Sequence, residues 1–72
     1  MTTLKLISKL EKEYNKLSKK CEKLYIFLGS DKFTQLDPVM QKLLAKQYKH
    51  MIDYASCLVN RISLLKYKKQ EV

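Results

Sequence analysis

The feature that most constrains this chain is one helical register that runs for three heptads, about six turns, before its first interruption. Ile7, Leu10, Tyr14, Leu17, Cys21, Leu24 and Leu28 recur at alternating steps of three and four residues. That spacing lays an apolar seam along one side of an α-helix and has none of the two-residue alternation of a half-buried strand. Lys5, Lys9, Lys12, Lys16, Lys19 and Lys23 form a second row, offset by two residues. At 3.6 residues per turn the offset is about 200° around the helix. One side is apolar and the other a line of ammonium groups, so a helix is expected over about residues 3–28.

The breakers are as informative as the seam. The chain has one Gly and one Pro, Gly29 and Pro38, too few for an all-β fold with many turns. Gly29 suits the left-handed residue that follows a helix. Ser30-Asp31-Lys32-Phe33 reads as a capped single turn, with Phe33 and Leu36 folding back beneath the connection. Asp37 then serves as N-cap, and Pro38 sits at the first helical position, where its missing N–H costs nothing. The second helix is predicted over about residues 38–66 and is followed by a basic C-terminal tail. Lys66, Lys68 and Lys69 suit its negative dipole end.

The apolar face of that second helix is too wide for one partner. Leu44, Met51, Ala55, Leu58, Ile62 and Leu65 make one series; Tyr48, Ile52 and Val59 make a second, with Leu43 at the rim. A two-helix seam needs only a narrow stripe, and an isolated hairpin would leave the remainder in water, as interaction surfaces do. The expected architecture is all-α, one helical domain over residues 1–72. It is a long two-helix antiparallel hairpin with a short helical turn at the connection (29–37), assembled into a homo-oligomeric helical bundle. The helices should measure about 40 and 45 Å at 1.5 Å per residue.

Composition excludes several functions. A chain of 72 residues is at the size where a single-chain core is marginal. Its one histidine is His50 and its two cysteines are Cys21 and Cys57, which cannot make up a four-ligand zinc site. A catalytic triad would have to be built around His50 alone, and no glycine loop is present to cradle phosphate. No enzyme, metal or cofactor is expected. If Leu28 and Pro38 face each other across the turn, Cys21 lies opposite Ala45, about 18 Å along the helix from Cys57. That is beyond disulfide reach, and both thiols read as buried, reduced packing groups. No apolar run approaches the ~18 residues of a membrane span. The opening Met1-Thr2-Thr3-Leu4-Lys5 lacks a signal-peptide pattern, so the cytoplasm is the expected compartment.

Charge narrows the partners without choosing one. Fifteen Lys+Arg against seven Asp+Glu give a formal charge of +8, which fits an acidic partner or simple solubility. There is no short turn between two short helices, as a helix-turn-helix needs, and no basic region feeding a zipper. The lysine row contains no arginine for bidentate base reading, so it reads as a solvated face and nucleic acid is the weaker partner. Without Trp, and with the apolar face needed for packing, the chain does not read as a membrane-surface helix. Tyr14, Tyr25, Tyr48, Tyr54, Tyr67 and the sole arginine, Arg61, lie on or beside the apolar face. A seam tyrosine such as Tyr14 reads first as packing. Its ring can also stack on a nucleobase, at roughly 1–3 kcal/mol per base. A basic nucleic-acid-binding helical protein and a purely structural adaptor both remain open on these residues.

A longer pattern points further. Glu13-Tyr14, Leu17, Lys20 and Lys23-Leu24 lead to Phe27-Leu28, then Ser30-Asp31-Lys32-Phe33 and Leu36; Leu43-Leu44, Gln47, Met51, Tyr54, Leu58 and Arg61-Ile62 follow. Over about residues 7–65 this order resembles the phage anti-CBASS cyclic-oligonucleotide sponges. The combination of Phe-Leu and Ser-x-x-Phe ahead of a Gln-x-x-x-Met-x-x-Tyr helix is its most specific part. The resemblance implies a compact all-helical homo-oligomer, hexameric in described members. Such an assembly binds cyclic di- and trinucleotides between protomers and sequesters them uncleaved, so that the host's defence effector is not activated.

The same resemblance implies site residues. Tyr14 matches the first-helix tyrosine that stacks on a base. Ser30 and Lys32 lie in the turn that offers hydroxyl, backbone and basic contacts to phosphate. Arg61 matches an Arg-Ile near the end of the last helix, where it serves a phosphate or an interface salt bridge to a residue such as Glu13 or Asp53. One departure bears on ligand choice: family members often have a basic residue directly after the Phe-hydrophobic pair, and here that residue is Gly29.

Overall fold

The computed structural model describes residues 2–70, with side chains described to Lys68. Its elements are α1 (Thr3–Leu28), α2 (Asp31–Thr34) and α3 (Pro38–Gln70), with no strand among the described residues. α1 begins where Thr2, in extended backbone, accepts a hydrogen bond from the Lys5 amide on its hydroxyl (3.2 Å). That cap satisfies one of the free N–H groups at the helix start. α3 begins as its sequence requires: Asp37 Oδ1 accepts from the Val39 amide at 2.8 Å, and the Asp37 carbonyl accepts from the Gln41 amide at 3.0 Å.

α1 stops without the left-handed residue expected at Gly29, whose φ and ψ are −94° and 7°. The chain turns by tightening. The amides of Gly29 and Ser30 donate to the carbonyls of Ile26 and Phe27, each three residues back, at 3.2 and 3.0 Å. Ser30 then swings to extended backbone and caps α2. A Cβ at Gly29 would meet only the Ile26 carbonyl oxygen, at 3.8 Å, so local geometry does not demand glycine there.

The buried seam is the predicted one, but the register is shifted. Glu11 and Lys66 approach to 4.0 Å near the open end, and the rings of Tyr25 and Tyr48 lie 6.0 Å apart near the other. These pairs place Cys21 level with the Tyr54–Ala55 stretch, not with Ala45. They also leave the first two turns or so of α3 projecting about 13 Å past the end of α1, at 1.5 Å per residue. The connection climbs alongside this overhang. Phe33 meets Phe27 edge-on at 6.2 Å, and the Gln41 side-chain amide donates to the carbonyls of Leu36 (2.9 Å) and Thr34 (3.3 Å). The expected face-to-face start at Leu28 and Pro38 fails because α2 occupies that space.

Two further expectations are corrected. The helix runs on to Gln70, so residues 67–70 of the expected basic tail are helical; no breaker intervenes, and lysines favour a helix C-terminus. Residues 71 and 72 lie outside the described part, as does the Lys69 side chain. Both cysteines are free, yet only Cys21 is buried; Cys57 is exposed, one step round α3 from the seam residue Leu58.

The core is thin. Leu10, Leu17, Cys21 and Leu58 form its buried cluster, with Leu58 fully enclosed at 0% exposure, and Tyr14, Tyr48, Met51, Ala55, Ile62 and Leu65 packed around them. The chain is 54 Å long and only 17 by 15 Å across, with a radius of gyration of 16.3 Å. A compact domain of this length has about 11 Å. Its accessible surface is 6008 Å², about 1,300 Å² more than a compact monomer of this mass presents. Val39, Met40 and Leu43 on the overhang are 66%, 47% and 56% exposed.

Candidate functional site

Tyr14 stands at a seam position of α1 and is half-buried. It lines an open cleft of about 380 Å³ with Glu11 and Asn15 from α1 and Val59, Ile62, Ser63 and Lys66 from α3. The cleft offers a flat aromatic surface, an amide, a hydroxyl and an ammonium group, the set needed to hold a planar heterocycle beside an anion. Glu11 competes for the ammonium, but the pair is long and about half exposed, a geometry worth little in water.

Ser30 is half-buried and makes two hydrogen bonds. Its hydroxyl donates to the Phe27 carbonyl at 2.6 Å and accepts from the Phe33 amide at 3.3 Å. Lys32, on α2, is exposed. Arg61 is exposed on α3 and makes no ion pair within 4.0 Å among the described residues. It lies close enough to Tyr54 to pull that phenol's pKa down. Hydrogen bonding to Glu13 outweighs it, and together with desolvation and the Glu13 charge leaves the Tyr54 pKa raised above its ordinary value.

One chain therefore does not gather the four expected residues. Ser30 and Lys32 share a turn, but Tyr14 lies about 24 Å back along α1 at 1.5 Å per residue. Arg61 is near the level of Tyr14 yet does not line its cleft. The structure adds Asn15, Ser63 and Lys66 to the lining of the Tyr14 cleft, none of which the sequence singles out as a site residue; it assigns Lys66 only to the helix dipole. Val59, Ile62, Ser63 and Lys66 step along one face of α3, a signal that becomes readable once the helix register is known.

A second groove, of about 410 Å³, is lined by Leu43, Lys46, Gln47, His50, Met51 and Tyr54, all from α3. No three His, Cys, Asp or Glu side chains cluster as metal ligands among the described residues. No helix among them is long and apolar enough to cross a membrane.

A family model described as Sequestin matches residues 5–64. The chain is also 39% identical over 59 residues to a protein of Enterobacteria phage T4 described as an uncharacterized 7.5 kDa protein in the denB-rIIB intergenic region. That match covers 82% of this chain and 92% of the phage protein. No solved structure matches the chain.

Proposed function

The chain belongs to the Sequestin family, and on that premise we propose that it is a phage counter-defence protein that captures cyclic di- and trinucleotide second messengers intact. The ligand is held between copies of the chain in a homo-oligomer, a hexamer on the pattern of the sponges it resembles. Held there, the messenger cannot activate a host CBASS effector in the cytoplasm. Binding requires no catalytic group, metal or cofactor, and the chain acts as a sink, not an enzyme.

The observation that carries this reading is the Tyr14 cleft. It presents a stacking ring beside Asn15, Ser63 and Lys66 but stays open to solvent, whereas small-ligand sites bury most of their ligand. A second copy has to close it. The surplus of about 1,300 Å² of surface supports that closure, because a standard interface takes about 800 Å² from each partner. The surplus exceeds one such patch, in keeping with more than one neighbour per chain. Tyr14 then stacks on a base, while Ser30 and Lys32 of the turn, and Arg61, approach phosphates from a neighbouring copy.

Calorimetry against a panel of cyclic di- and trinucleotides, with ligand recovered after heating, tests the reading. Saturable heat and intact ligand support it. No heat across the panel, or cleaved products, rejects it. A second reading, nucleic-acid binding, is favoured by the row Lys5 to Lys23, every member of which is exposed. Duplex binding through several of these lysines would weaken steeply with added salt.

A further inference from the structure

We infer that Glu11 makes the Tyr14 cleft a reader of guanine, so that the chain prefers cyclic nucleotides carrying that base. The inference rests on the capture reading above and deepens it by naming the base. It starts from a misfit of charge. The cleft is lined by one carboxylate, Glu11, and one ammonium group, Lys66, beside neutral side chains. The two charges cancel, and a carboxylate in the wall repels a phosphate. A site for phosphate alone would leave Glu11 out. A site for a base has a use for it, since unstacked bases are read by hydrogen bonds along their edges.

Position suits that role. Glu11 stands three residues before Tyr14 on α1, and side chains at that spacing are neighbours on one helix face. A base stacked on the Tyr14 ring therefore has the carboxylate within reach of its edge. Lys66 of α3 comes to the same place, with its Nζ 4.0 Å from Glu11 Oε2. That separation is too long for a hydrogen bond. Both side chains are about half exposed, so the pair is weak and each group is free to take another partner. A donor and a two-oxygen acceptor thus stand side by side without consuming each other.

The order of groups on each base decides which one fits. Along its pairing edge guanine presents the O6 acceptor, then N1–H, then the exocyclic N2 amine. Its two adjacent N–H donors match the two oxygens of one carboxylate, which accepts such forks well. O6, next in line, accepts from the ammonium group. Adenine offers the carboxylate one exocyclic amine beside an acceptor nitrogen, and uracil offers one N–H between two carbonyls. Guanine therefore makes one more contact with Glu11 and Lys66 than adenine does. Because that extra bond is to a charged group, the preference should be about tenfold or more.

Calorimetry on the full chain with cyclic di-GMP, cyclic di-AMP and cyclic di-IMP tests the assignment; the last differs from the first only in lacking the 2-amino groups. Wild type should bind cyclic di-GMP about tenfold or more tightly than either of the others. Glu11 is exposed, so Glu11→Gln should leave helical circular dichroism unchanged. This variant should lose the margin, weakening for cyclic di-GMP while cyclic di-AMP holds or tightens as a negative charge leaves the cleft. Equal wild-type affinities for the three ligands, or Glu11→Gln tightening all three alike, overturns the guanine assignment and leaves capture standing. No heat with cyclic di-GMP while other cyclic nucleotides bind does the same. No heat with any cyclic di- or trinucleotide removes the assignment together with the capture reading it rests on.

Discussion

The Ser30 hydroxyl donates its one proton to the Phe27 carbonyl at 2.6 Å while accepting from the Phe33 amide at 3.3 Å. One side chain thus closes α1 and opens α2. Replacing it leaves the Phe33 amide without its partner, while the Phe27 carbonyl keeps the Ser30 amide, and loss of a helix cap costs about 1 kcal/mol. Ser30→Ala should lower the unfolding midpoint in urea accordingly. Because the proton is already engaged, direct donation to phosphate would require breaking the Phe27 bond. The expected loss of cyclic-nucleotide affinity is therefore small, about threefold or less if only loop order is affected.

Tyr14 gives the opposite expectation. Its ring is half-buried in the cleft and is the only aromatic group there. Stacking is worth roughly 1–3 kcal/mol per base, so Tyr14→Ala should weaken cyclic-nucleotide binding by about five- to 150-fold in calorimetry. Tyr14→Phe keeps the stacking face and should stay within a few-fold of wild type. Equal losses for both variants would assign the phenolic hydroxyl, not the ring, to the ligand.

Lys32 separates binding from assembly. Its side chain is exposed on the four-residue α2, away from the buried seam. Reversing its charge should leave thermal stability and sedimentation mass unchanged while reducing affinity for an anionic ligand, by about tenfold if one charge-assisted phosphate contact is lost. Wild-type affinity for Lys32→Glu would remove Lys32 from the phosphate assignment.

Leu58 has 0% exposure and closes the small buried cluster. Truncating a core leucine costs about 2–5 kcal/mol, against a total of roughly 4–11 kcal/mol for a chain of this size. Leu58→Ala should therefore lower the melting temperature severely. Leu64, 54% exposed in the single chain, is the control: Leu64→Ala should be nearly neutral unless another copy covers it. A large effect at Leu64 would mark it as an assembly contact.

The seam, both helix starts and the break at Leu28 were legible because capping and apolar periodicity act within a few residues. The α3 register was not. It depends on α2 filling the space beside Pro38 and on Gln41 binding the carbonyls of Thr34 and Leu36, contacts between segments that periodicity treats as separate. The same gap hid Asn15, Ser63 and Lys66 from the site, since they meet Tyr14 only once the helices are set against each other. Gly29 was misread for a related reason: a tightened turn satisfies the end of α1, and the extended Ser30 completes the reversal that a left-handed residue usually makes.

Tyr54 supplies a pH dependence whose sign is fixed by its neighbours. Hydrogen bonding to Glu13, desolvation and the Glu13 charge raise the phenol's pKa above the ordinary value of 10.0, against a smaller opposing pull from Arg61. The folded chain therefore holds this proton more tightly than the unfolded chain does. The stabilisation is fully present below the unfolded pKa and is lost as pH rises through the folded pKa. Glu13→Gln removes the negative charge and should shift the Tyr54 titration back toward 10.0, whereas Arg61→Gln should shift it further up. Ultraviolet absorbance of the phenolate, taken as the difference between each protein and its Tyr54→Phe counterpart, reads both shifts. An upward move for Glu13→Gln would mean that burial of Tyr54 in the assembly, not the carboxylate of α1, governs the group.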